Sequence, residues 1–311
     1  MSNINVAVIG VGYLGYHHAR ILHSIDGVNL IAVVDTDIVR AHEVSREFGC
    51  IATDNHLKIL DDVDCCIVST PTQSHHHIAL DCIKKNKHVF IEKPITVSPD
   101  EALSLISMSQ DKGVYIQVGH IERFNPVFEK AQQSGKKPVM FCSERLSPFL
   151  QRASNIDVTK DLLIHDIDII LTSMRKKDID TSIKGISAYG ACVVTDKPDL
   201  VIADIEFDCG ITAHLKASRV EREKKRQMTI FHQDGYDILD FQAHRYSSFR
   251  KADMCFEDIT LVPDEEPLRR ELNSFLNALR GHAPLEVTAT DAFEALKVAD
   301  DINKVLGDRF R

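Results

Sequence analysis

The first 118 residues alternate short apolar runs with stretches in which apolar positions recur every three or four residues. Short continuous apolar runs are typical of strands buried on both faces, and the longer period is that of amphipathic helices. Regular alternation of the two predicts an α/β domain with a doubly wound parallel sheet. The predicted strands are 4–9, 29–34, 64–69, 88–91 and 114–118, and the predicted helices are 13–25, 37–48, 75–86 and 99–112.

The pattern changes after about residue 119, where short turns separate most of the strand-like runs. Turns such as Asp208-Cys-Gly210 and Gln233-Asp-Gly235 suit antiparallel pairing of the flanking runs. The second half therefore predicts an α+β domain with an open, mainly antiparallel sheet and helices on one face. We expect two domains, 1–119 and 120–311. The predicted strands are 138–146, 183–194, 200–208, 211–220, 226–232 and 236–241, and the predicted helices are 124–134, 161–174, 267–280 and 289–306.

Composition and charge narrow the class of protein. The chain has 311 residues, 44% of them hydrophobic, and a formal net charge of −9. The acidic balance argues against nucleic acid or an anionic membrane as a partner. The N-terminal residues show no signal-peptide pattern, and no apolar run approaches the length of a membrane span. Eight cysteines without a C-x-x-C pair favour buried thiols in a reducing compartment, so we expect a cytoplasmic protein.

Three glycines follow the first predicted strand at the spacing G-x-G-x-x-G, and an acid follows the second strand. Gly10 permits a tight turn, Gly12 lets the backbone approach a pyrophosphate, and Gly15 lets the next helix lie close to the strand. The N-terminus of that helix attracts phosphate, and Asp35 can accept hydrogen bonds from an adenosine ribose. This combination predicts a dinucleotide-binding Rossmann domain; the alternative is a glycine-rich turn with no ligand.

The charged pair Glu92-Lys93 follows the buried strand at 88–91 directly, and Pro94 comes next. The carboxyl end of a parallel strand is the ligand-facing end of such a sheet. A partly desolvated lysine there is suited to proton transfer or to polarising a substrate oxygen. The alternative is a solvated loop lysine beside a glutamate. For so sharp an exit from a strand, we expect a cis Lys93–Pro94 peptide bond.

A second candidate group lies on the predicted helix 161–174. Asp161, His165 and Asp168 are spaced as one face of a helix whose other positions are largely apolar. Such a polar stripe is suited to the wall of a substrate cleft, with His165 as general acid/base and Asp161 orienting it. The alternative is a core histidine that Asp161 satisfies.

Two further clusters favour structural roles. His75-His76-His77 tempts a metal assignment, but consecutive residues at a helix start point in different directions, so we expect no metal. The neighbouring Thr70-Pro71-Thr72 ends a predicted strand and could border a cofactor cleft instead. The basic run from Arg219 to Arg226 is expected to be a solvated hairpin turn, with a phosphate contact as the alternative.

Together these residues resemble the glucose–fructose oxidoreductase, inositol dehydrogenase and rhizopine-catabolism family (Gfo/Idh/MocA), over essentially the whole chain. The matching motifs are the glycines with Asp35, Thr70-Pro71 with His75, Glu92-Lys93-Pro94, Gly119-His-Ile-Glu-Arg123-Phe124-Asn125-Pro126, Asp161 with His165, and Glu271-Leu-Asn-Ser-Phe275. The resemblance implies a Rossmann domain followed by an α+β domain whose open sheet often mediates oligomers.

The resemblance also implies NAD or NADP as cofactor. Asp35 disfavours the 2′-phosphate of NADP, whereas Arg40 could contact it, so NAD is expected and NADP stays open. The implied catalytic residues are Lys93, Asp161 and His165. The implied cofactor-binding residues are Gly10, Gly12, Tyr13, Leu14, Gly15, Asp35, Thr36, Arg40, Thr70, Pro71, Thr72, His75, Glu92, Lys93 and Arg123, and the implied substrate-binding residues are Lys93, His120, Asn125, Asp161 and His165.

Within the family, three stretches look most like nucleotide-sugar dehydrogenases that act on UDP-N-acetylhexosamines: Val118 to Pro126, Ser143-Glu-Arg145 and Leu163 to Asp168. We therefore expect hydride transfer between nicotinamide and a secondary alcohol carbon of a sugar or nucleotide sugar. Two alternatives stay open: a dehydrogenase of a free polyol, an inositol or another small carbonyl substrate, and a non-catalytic dinucleotide sensor. A homo-oligomer, dimer or tetramer, is expected through the C-terminal sheet.

Overall fold

The computed structural model describes residues 3–149 and 156–307. The chain forms two compact units. The first contains residues up to His120 together with Leu268–Phe293, and the second contains Ile121–Pro267 and the residues from Glu294 onwards. The sequence predicts that residues 268–293 belong to the second domain. This segment joins the first unit because Phe275 packs edge-on against Phe90 and the backbone carbonyl of Glu271 accepts a hydrogen bond from Gln117.

The first unit is built on a six-stranded parallel sheet in the order β3-β2-β1-β4-β5-β6. Its two central strands are almost entirely apolar, with Asn5 as the one polar residue, because parallel sheets are covered on both faces. The sequence does not predict β3, because three residues are too few to show a period of apolar positions. The strands are β1 (Ile4–Ile9), β2 (Val28–Val34), β3 (Ile51–Thr53), β4 (Cys65–Val68), β5 (His88–Glu92) and β6 (Ile116–Gly119).

Helices of the first unit begin where local capping chemistry starts them. The Ser98 side chain accepts a hydrogen bond from the backbone N–H of Glu101, and Pro99 occupies the first turn, as the sequence predicted. The third helix begins three residues earlier than predicted, directly after Pro71, so Thr72 and His75 both lie in its first turns. The helices are α1 (Tyr13–His23), α2 (Ile38–Phe48), α3 (Thr72–Lys84), α4 (Pro99–Lys112) and, from the later segment, α7 (Pro267–Leu279).

The second unit contains an eight-stranded sheet in the order β14-β13-β12-β11-β7-β10-β9-β8. Every neighbouring pair is antiparallel except β7 with β10, which is parallel. The sequence analysis missed β13 and β14, the last two strands of the sheet. The elements are α5 (Pro126–Gln133), β7 (Pro138–Leu146), α6 (Ile164–Arg175), β8 (Ile183–Ala191), β9 (Leu200–Phe207), β10 (Thr212–Ser218), β11 (Lys225–His232), β12 (Gly235–Asp240), β13 (Arg245–Arg250), β14 (Cys255–Thr260) and α8 (Ala289–Gly307).

The segment that joins β10 to β11 is not the solvated hairpin turn that its basic composition predicted. Both strands pair with β7, one on each side of it, so residues 219–224 cross over the end of that strand. Arg219 is buried, while Arg222 and Lys224 are exposed. The prediction was wrong because a run of charged residues does not show which of their side chains the fold buries.

The expectation of buried thiols holds for three cysteines, Cys65, Cys66 and Cys82, and is wrong for Cys192, Cys209 and Cys255, which are exposed. All eight lie in the described part of the chain and carry free thiols. Cys65 and Cys66 are buried in β4, and burial raises the pKa of the Cys65 thiol well above its usual range. Within residues 3–149 and 156–307, no helix has both the length and the apolar character needed to cross a membrane.

Candidate active site

The glycine-rich loop between β1 and α1 is shaped by what a side chain would meet at each position. Gly10 has φ +86°, and a Cβ there would lie 2.7 Å from the carbonyl oxygen of Ser69. A Cβ at Gly15 would lie 1.7 Å from the carbonyl oxygen of Gly10, so only glycine lets α1 approach the loop. Gly12, by contrast, has open space around its Cβ direction. The loop therefore packs tightly at its two ends and is open in the middle.

The start of α1 is available to an anion. No side chain caps this helix, and its first turn contains no acidic residue. Tyr13 and Leu14, the first residues of the helix, are exposed. Uncapped backbone N–H groups at a helix start attract phosphate because the macrodipole adds to their own polarity.

Asp35, which directly follows β2, holds the glycine-rich loop in place through hydrogen bonds. Its Oδ2 accepts a hydrogen bond from the backbone N–H of Val11 at 2.8 Å, and its Oδ1 accepts one from Asp37 N at 3.0 Å. Arg40 approaches the same loop residue, since its Nε donates to the carbonyl oxygen of Val11 at 3.0 Å. Each carboxylate oxygen has further lone pairs, so Asp35 can also accept hydrogen bonds from a ribose. Thr36, the next residue, is exposed.

Glu92 is the buried anchor of the Glu92-Lys93-Pro94 turn. Its Oε1 lies 2.7 Å from His18 Nε2, and its Oε2 accepts a hydrogen bond from the backbone N–H of Lys93 at 3.2 Å. Burial opposes ionisation of Glu92, but the hydrogen bond and charge of His18, with the charge of Lys93, outweigh it and lower the pKa. Lys93 itself is half-buried, and the Lys93–Pro94 peptide bond is cis, as predicted.

His75, expected beside the cofactor, is buried inside the first unit. Its Nε2 lies 2.8 Å from the carbonyl oxygen of Thr70, and its Nδ1 lies 3.0 Å from the carbonyl oxygen of Pro94. Burial lowers the pKa of His75, against the opposing effect of the two carbonyls and of Glu92. Thr72 is also buried, whereas Pro71 is exposed. Contact of this strand end with a cofactor stays a prediction.

The second candidate group lies in the second unit, where Asp161 belongs to a π-helical turn, Thr159–Leu163, that leads into α6. Hydrogen bonding from i to i+5 widens such a turn, so the regular α-helical face inferred from spacing does not describe Asp161 and His165. Both residues are half-buried. π-turns within helices are frequent at functional sites, and this one carries a predicted catalytic carboxylate.

Asp168 does not belong to an accessible stripe, in contrast to the sequence analysis. It is buried and receives two hydrogen bonds from Arg123 Nε, at 2.9 and 3.1 Å. The spacing of polar residues predicted an accessible side chain at Asp168. That prediction is wrong because a carboxylate that is paired with a buried guanidinium can itself be buried. Arg123, expected at the cofactor, is thus engaged in an internal ion pair, and its cofactor contact stays a prediction.

His120 and Asn125, expected at the substrate, are both buried. Asn125 caps α5 by accepting a hydrogen bond from Val127 N, and its amide nitrogen donates to Glu122 and to the carbonyl oxygen of Phe241. These partners give Asn125 a structural role, and substrate contact by either residue stays a prediction.

A buried ion-pair network, which the sequence analysis did not identify, lies beside α6. Arg145 donates to both carboxylate oxygens of Asp166 at 2.9 Å and to Glu122 at 2.8 Å. The bidentate geometry holds α6 against β7. The sequence signal that could have identified the network is a charged residue at an inward-facing position of a strand or helix, as at Arg145 and Asp166.

The remaining histidines do not converge on a metal. His76 Nε2 approaches Ser104 Oγ at 3.4 Å, and the His77 ring approaches His56. Among the residues that the structure describes, no three His, Cys, Asp or Glu side chains are placed to hold an ion.

Comparison with known proteins connects both units to one family. The profile of the Gfo/Idh/MocA oxidoreductase family, with an NAD-binding Rossmann fold, matches residues 4–120. UDP-N-acetylglucosamine 3-dehydrogenase from Acidithiobacillus ferrooxidans is 36% identical over 293 residues, which cover 92% of this chain and 91% of that protein. The chain belongs to the Gfo/Idh/MocA oxidoreductase family.

Other members agree along the full length. A solved structure of the Acidithiobacillus ferrooxidans enzyme matches with a TM-score of 0.92 at 34% identity and covers 98% of both chains. The NAD⁺-dependent scyllo-inositol 2-dehydrogenase of Bacillus subtilis is 28% identical over 325 residues, covering 95% of this chain and 92% of that one. The fold class predicted from the sequence, a Rossmann domain with a second α+β domain, is confirmed.

As a Gfo/Idh/MocA member, the protein is an NAD-binding oxidoreductase, which confirms the predicted enzyme class and cofactor. The glycine-rich loop fits that cofactor, because Gly12 is open and the start of α1 is uncapped. Of the predicted catalytic residues, Lys93 belongs to the first unit, and Asp161 and His165 belong to the second.

Proposed function

We propose that this protein is an NAD-dependent dehydrogenase of a UDP-N-acetylhexosamine and that it oxidises the 3-hydroxyl of UDP-N-acetylglucosamine. The observation that carries the proposal is the similarity to UDP-N-acetylglucosamine 3-dehydrogenase along 92% of this chain. A match confined to the Rossmann domain would support cofactor binding alone, whereas this one includes the unit with Asp161 and His165.

The proposed mechanism assigns one role to each predicted catalytic residue. His165 accepts the proton of the hydroxyl group, and Asp161 orients its imidazole. The Lys93 ammonium binds the oxygen as negative charge develops on it. Bound NAD⁺ supplies the hydride acceptor at its nicotinamide ring. The balance is one hydride to the cofactor and one proton to His165, which leaves a ketone.

Turnover of defined substrates tests the proposal. The purified protein is incubated with NAD⁺ and either UDP-N-acetylglucosamine, UDP-N-acetylgalactosamine or UDP-glucose, while NADH absorbance is followed. We expect NADH with UDP-N-acetylglucosamine, together with a sugar nucleotide that has lost two hydrogens by mass spectrometry. Reduction of the ketone product with borodeuteride places deuterium on the carbon that was oxidised, and we expect the deuterium at C3. Absence of NADH formation with every UDP-sugar would contradict the proposal.

Oxidation of a free inositol is the second candidate, because the scyllo-inositol enzyme is similar over 95% of this chain. NADH formation with scyllo-inositol or myo-inositol but with no UDP-sugar would favour it. If NAD⁺ raised the melting temperature and neither substrate class were oxidised, the dinucleotide-sensor alternative would stand instead.

We also propose that the protein forms a homo-oligomer through the sheet of the second unit. Pairing of β7 and β11 to β14 aligns one apolar row across five strands, which comprises Met140, Phe231, Tyr236, Phe249 and Phe256. The four aromatic rings contact one another in sequence, and Phe256 is 60% exposed. The row is exposed at its two ends, Met140 and Phe256, and partly exposed between them, and an apolar surface row of this kind is typical of an interface. Analytical ultracentrifugation of wild type and Phe256→Glu is the test, and a monomeric wild type would contradict the proposal.

We further propose that the protein works in the reducing cytoplasm. The free thiols of all eight cysteines support this location. Fractionation of the source cells with an antibody against the chain tests it, and recovery outside the cytoplasmic fraction would contradict it.

A further inference from the structure

Lys93 lies between two residues that buried histidines hold, one from each of two helices. His18 on α1 contacts the Glu92 carboxylate, and His75 on α3 contacts the Pro94 carbonyl. We propose that His18 and His75 are positioning residues that fix the Lys93 ammonium for the reaction by gripping the chain on either side of it. The catalytic role of Lys93 rests on the proposed function; the grip itself does not.

The grip on the N-terminal side runs through a carboxylate. His18 is fully buried, and its Nε2 lies 2.7 Å from Glu92 Oε1. The other carboxylate oxygen accepts the backbone N–H of Lys93 at 3.2 Å. Gly119 on β6 makes room for this arrangement, since a Cβ there would lie 2.9 Å from Glu92 Oε2. Glu92 therefore links His18, on the helix that follows the glycine-rich loop, to the backbone of Lys93.

The grip on the C-terminal side runs through two carbonyl groups. His75 is 1% exposed, and its ring nitrogens face the Pro94 carbonyl, at the turn, and the Thr70 carbonyl, after β4. A neutral imidazole donates to one carbonyl, and an imidazolium donates to both. His75 therefore donates to the Pro94 carbonyl as an imidazolium or as the neutral tautomer with its proton on Nδ1, and only the imidazolium also donates to Thr70.

Core packing alone does not account for these two side chains. An apolar residue could fill either volume, but it would leave the Glu92 carboxylate or the Pro94 carbonyl without its donor in a buried place. Both donors act on the residues that flank one lysine. A displacement of about 1 Å in a reacting group lowers turnover by about 10²-fold, so small movements of this turn have a large kinetic effect.

Lysine reactivity in the protein without cofactor is the first test, and it requires no substrate. Trace acetylation with acetic anhydride, read by mass spectrometry, gives the rate at Lys93 relative to exposed Lys84. The variants are His18→Leu, His18→Gln, His75→Leu, His75→Asn and His75→Gln. The matched controls, His23→Gln on α1 and His77→Gln on α3, remove exposed histidines from the same two helices.

We expect several-fold faster labelling of Lys93 in the two leucine variants and no change in the controls. Glutamine places its amide nitrogen near the position of Nε2, and asparagine near that of Nδ1. His18→Gln should therefore restore slow labelling through Glu92. His75→Asn, which keeps a donor toward Pro94, should restore it better than His75→Gln, which keeps one toward Thr70.

Kinetics with UDP-N-acetylglucosamine is the second test. We expect kcat to fall by about 10²-fold in the leucine variants, measured at a temperature at which circular dichroism shows that they are folded. Their melting temperatures should be lower than that of wild type, because the Glu92 carboxylate or the Pro94 carbonyl loses its donor. The Kd for NAD⁺ should stay close to wild type in His18→Leu. If wild type oxidises no substrate, the proposed function fails, and the labelling pattern still decides the grip.

Unchanged Lys93 labelling and kcat in folded leucine variants would overturn the proposal. An equal increase in labelling at Lys93 and at the exposed lysines would also overturn it, because that result describes general loosening. If a leucine variant does not fold, the comparison of His18→Gln, His75→Asn and His75→Gln with the controls carries the test: equal Lys93 labelling in His75→Asn and His75→Gln would overturn the Pro94 contact.

Discussion

Arg219 Nε donates a hydrogen bond to Asp199 Oδ1 at 2.8 Å, and both side chains are buried. The other Asp199 oxygen accepts the backbone N–H groups of Val193, Val194 and Thr195. Arg219 also donates to the carbonyl oxygen of Ile156, which precedes the π-turn that carries Asp161. The pair thus joins the 193–195 loop to the chain that enters the predicted catalytic helix.

This pair predicts a pH-dependent contribution to stability. Burial opposes ionisation of Asp199, but the backbone N–H groups and Arg219 outweigh it and hold the pKa well below its usual range. A depressed pKa stabilises the fold above the unfolded value of about 3.9, and this contribution is lost as the pH falls toward the folded value. Asp199→Asn should lower the free energy of unfolding by about 3–5 kcal/mol at pH 7 because Arg219 loses its counter-charge.

Urea unfolding at neutral pH and below pH ~4 checks this prediction. The difference in the free energy of unfolding between wild type and Asp199→Asn should be smaller at the acidic pH. The control Asp208→Asn, at an exposed position, should have the stability of wild type at both pH values. An equal difference at both pH values would contradict the assignment.

The glycine-rich loop predicts that two neighbouring substitutions fail for different reasons. Gly15→Ala places a Cβ 1.7 Å from the Gly10 carbonyl oxygen, so α1 must move and stability should fall by about 1–3 kcal/mol. Gly12→Val meets open space and should fold normally, yet weaken NAD⁺ binding by at least about tenfold, or 1.4 kcal/mol. Thermal unfolding and calorimetric titration with NAD⁺ separate the two effects. Gly185→Ala, at another open position, is the control, and normal NAD⁺ affinity in Gly12→Val would refute the fit of the cofactor to this loop.

Removal of either predicted catalytic group should lower turnover while cofactor binding largely survives. Lys93→Ala and His165→Ala are each expected to lower kcat by roughly 10²–10⁴-fold, since they remove the oxyanion partner and the general base. The rate of NADH formation from UDP-N-acetylglucosamine and the Kd for NAD⁺ are the measurements. Lys84→Ala, an exposed lysine on α3, is the control. Full activity in both variants would contradict the catalytic roles of Lys93 and His165.

The buried pair of Arg123 and Asp168 predicts a strong asymmetry between single and double variants. Asp168→Asn removes the charge that Arg123 Nε contacts and should cost about 3–5 kcal/mol. The double variant Arg123→Met with Asp168→Leu removes both charges of this pair and should recover much of that loss. Chemical denaturation of the three proteins measures it. The double variant also tests the predicted cofactor contact of Arg123, because NAD⁺ affinity at the wild-type level would show that no such contact matters.

Local patterns were sufficient for much of this protein. Apolar runs and helical periods located five of the six strands of the first sheet, because strands covered on both faces are continuously apolar. The glycines, the Ser98 cap and the Glu92-Lys93-Pro94 turn were readable because their chemistry acts within a few residues. The short β3 and the two last strands of the second sheet were missed, since three residues or mixed polar strands carry little periodicity.

The partners of charged side chains were decided only by tertiary structure. Asp168 and Arg219 look solvent-facing in sequence, yet each is buried against a partner far along the chain, Arg123 and Asp199 respectively. Likewise, the sequence gives no role to His18 and predicts a cofactor contact for His75, whereas the fold places both against the residues that flank Lys93. The sequence by itself determined the cofactor class and the candidate catalytic groups, because motifs reflect local backbone geometry. Which charges are exposed, and which histidines hold the Lys93 turn, depends on contacts between distant segments that no local pattern encodes.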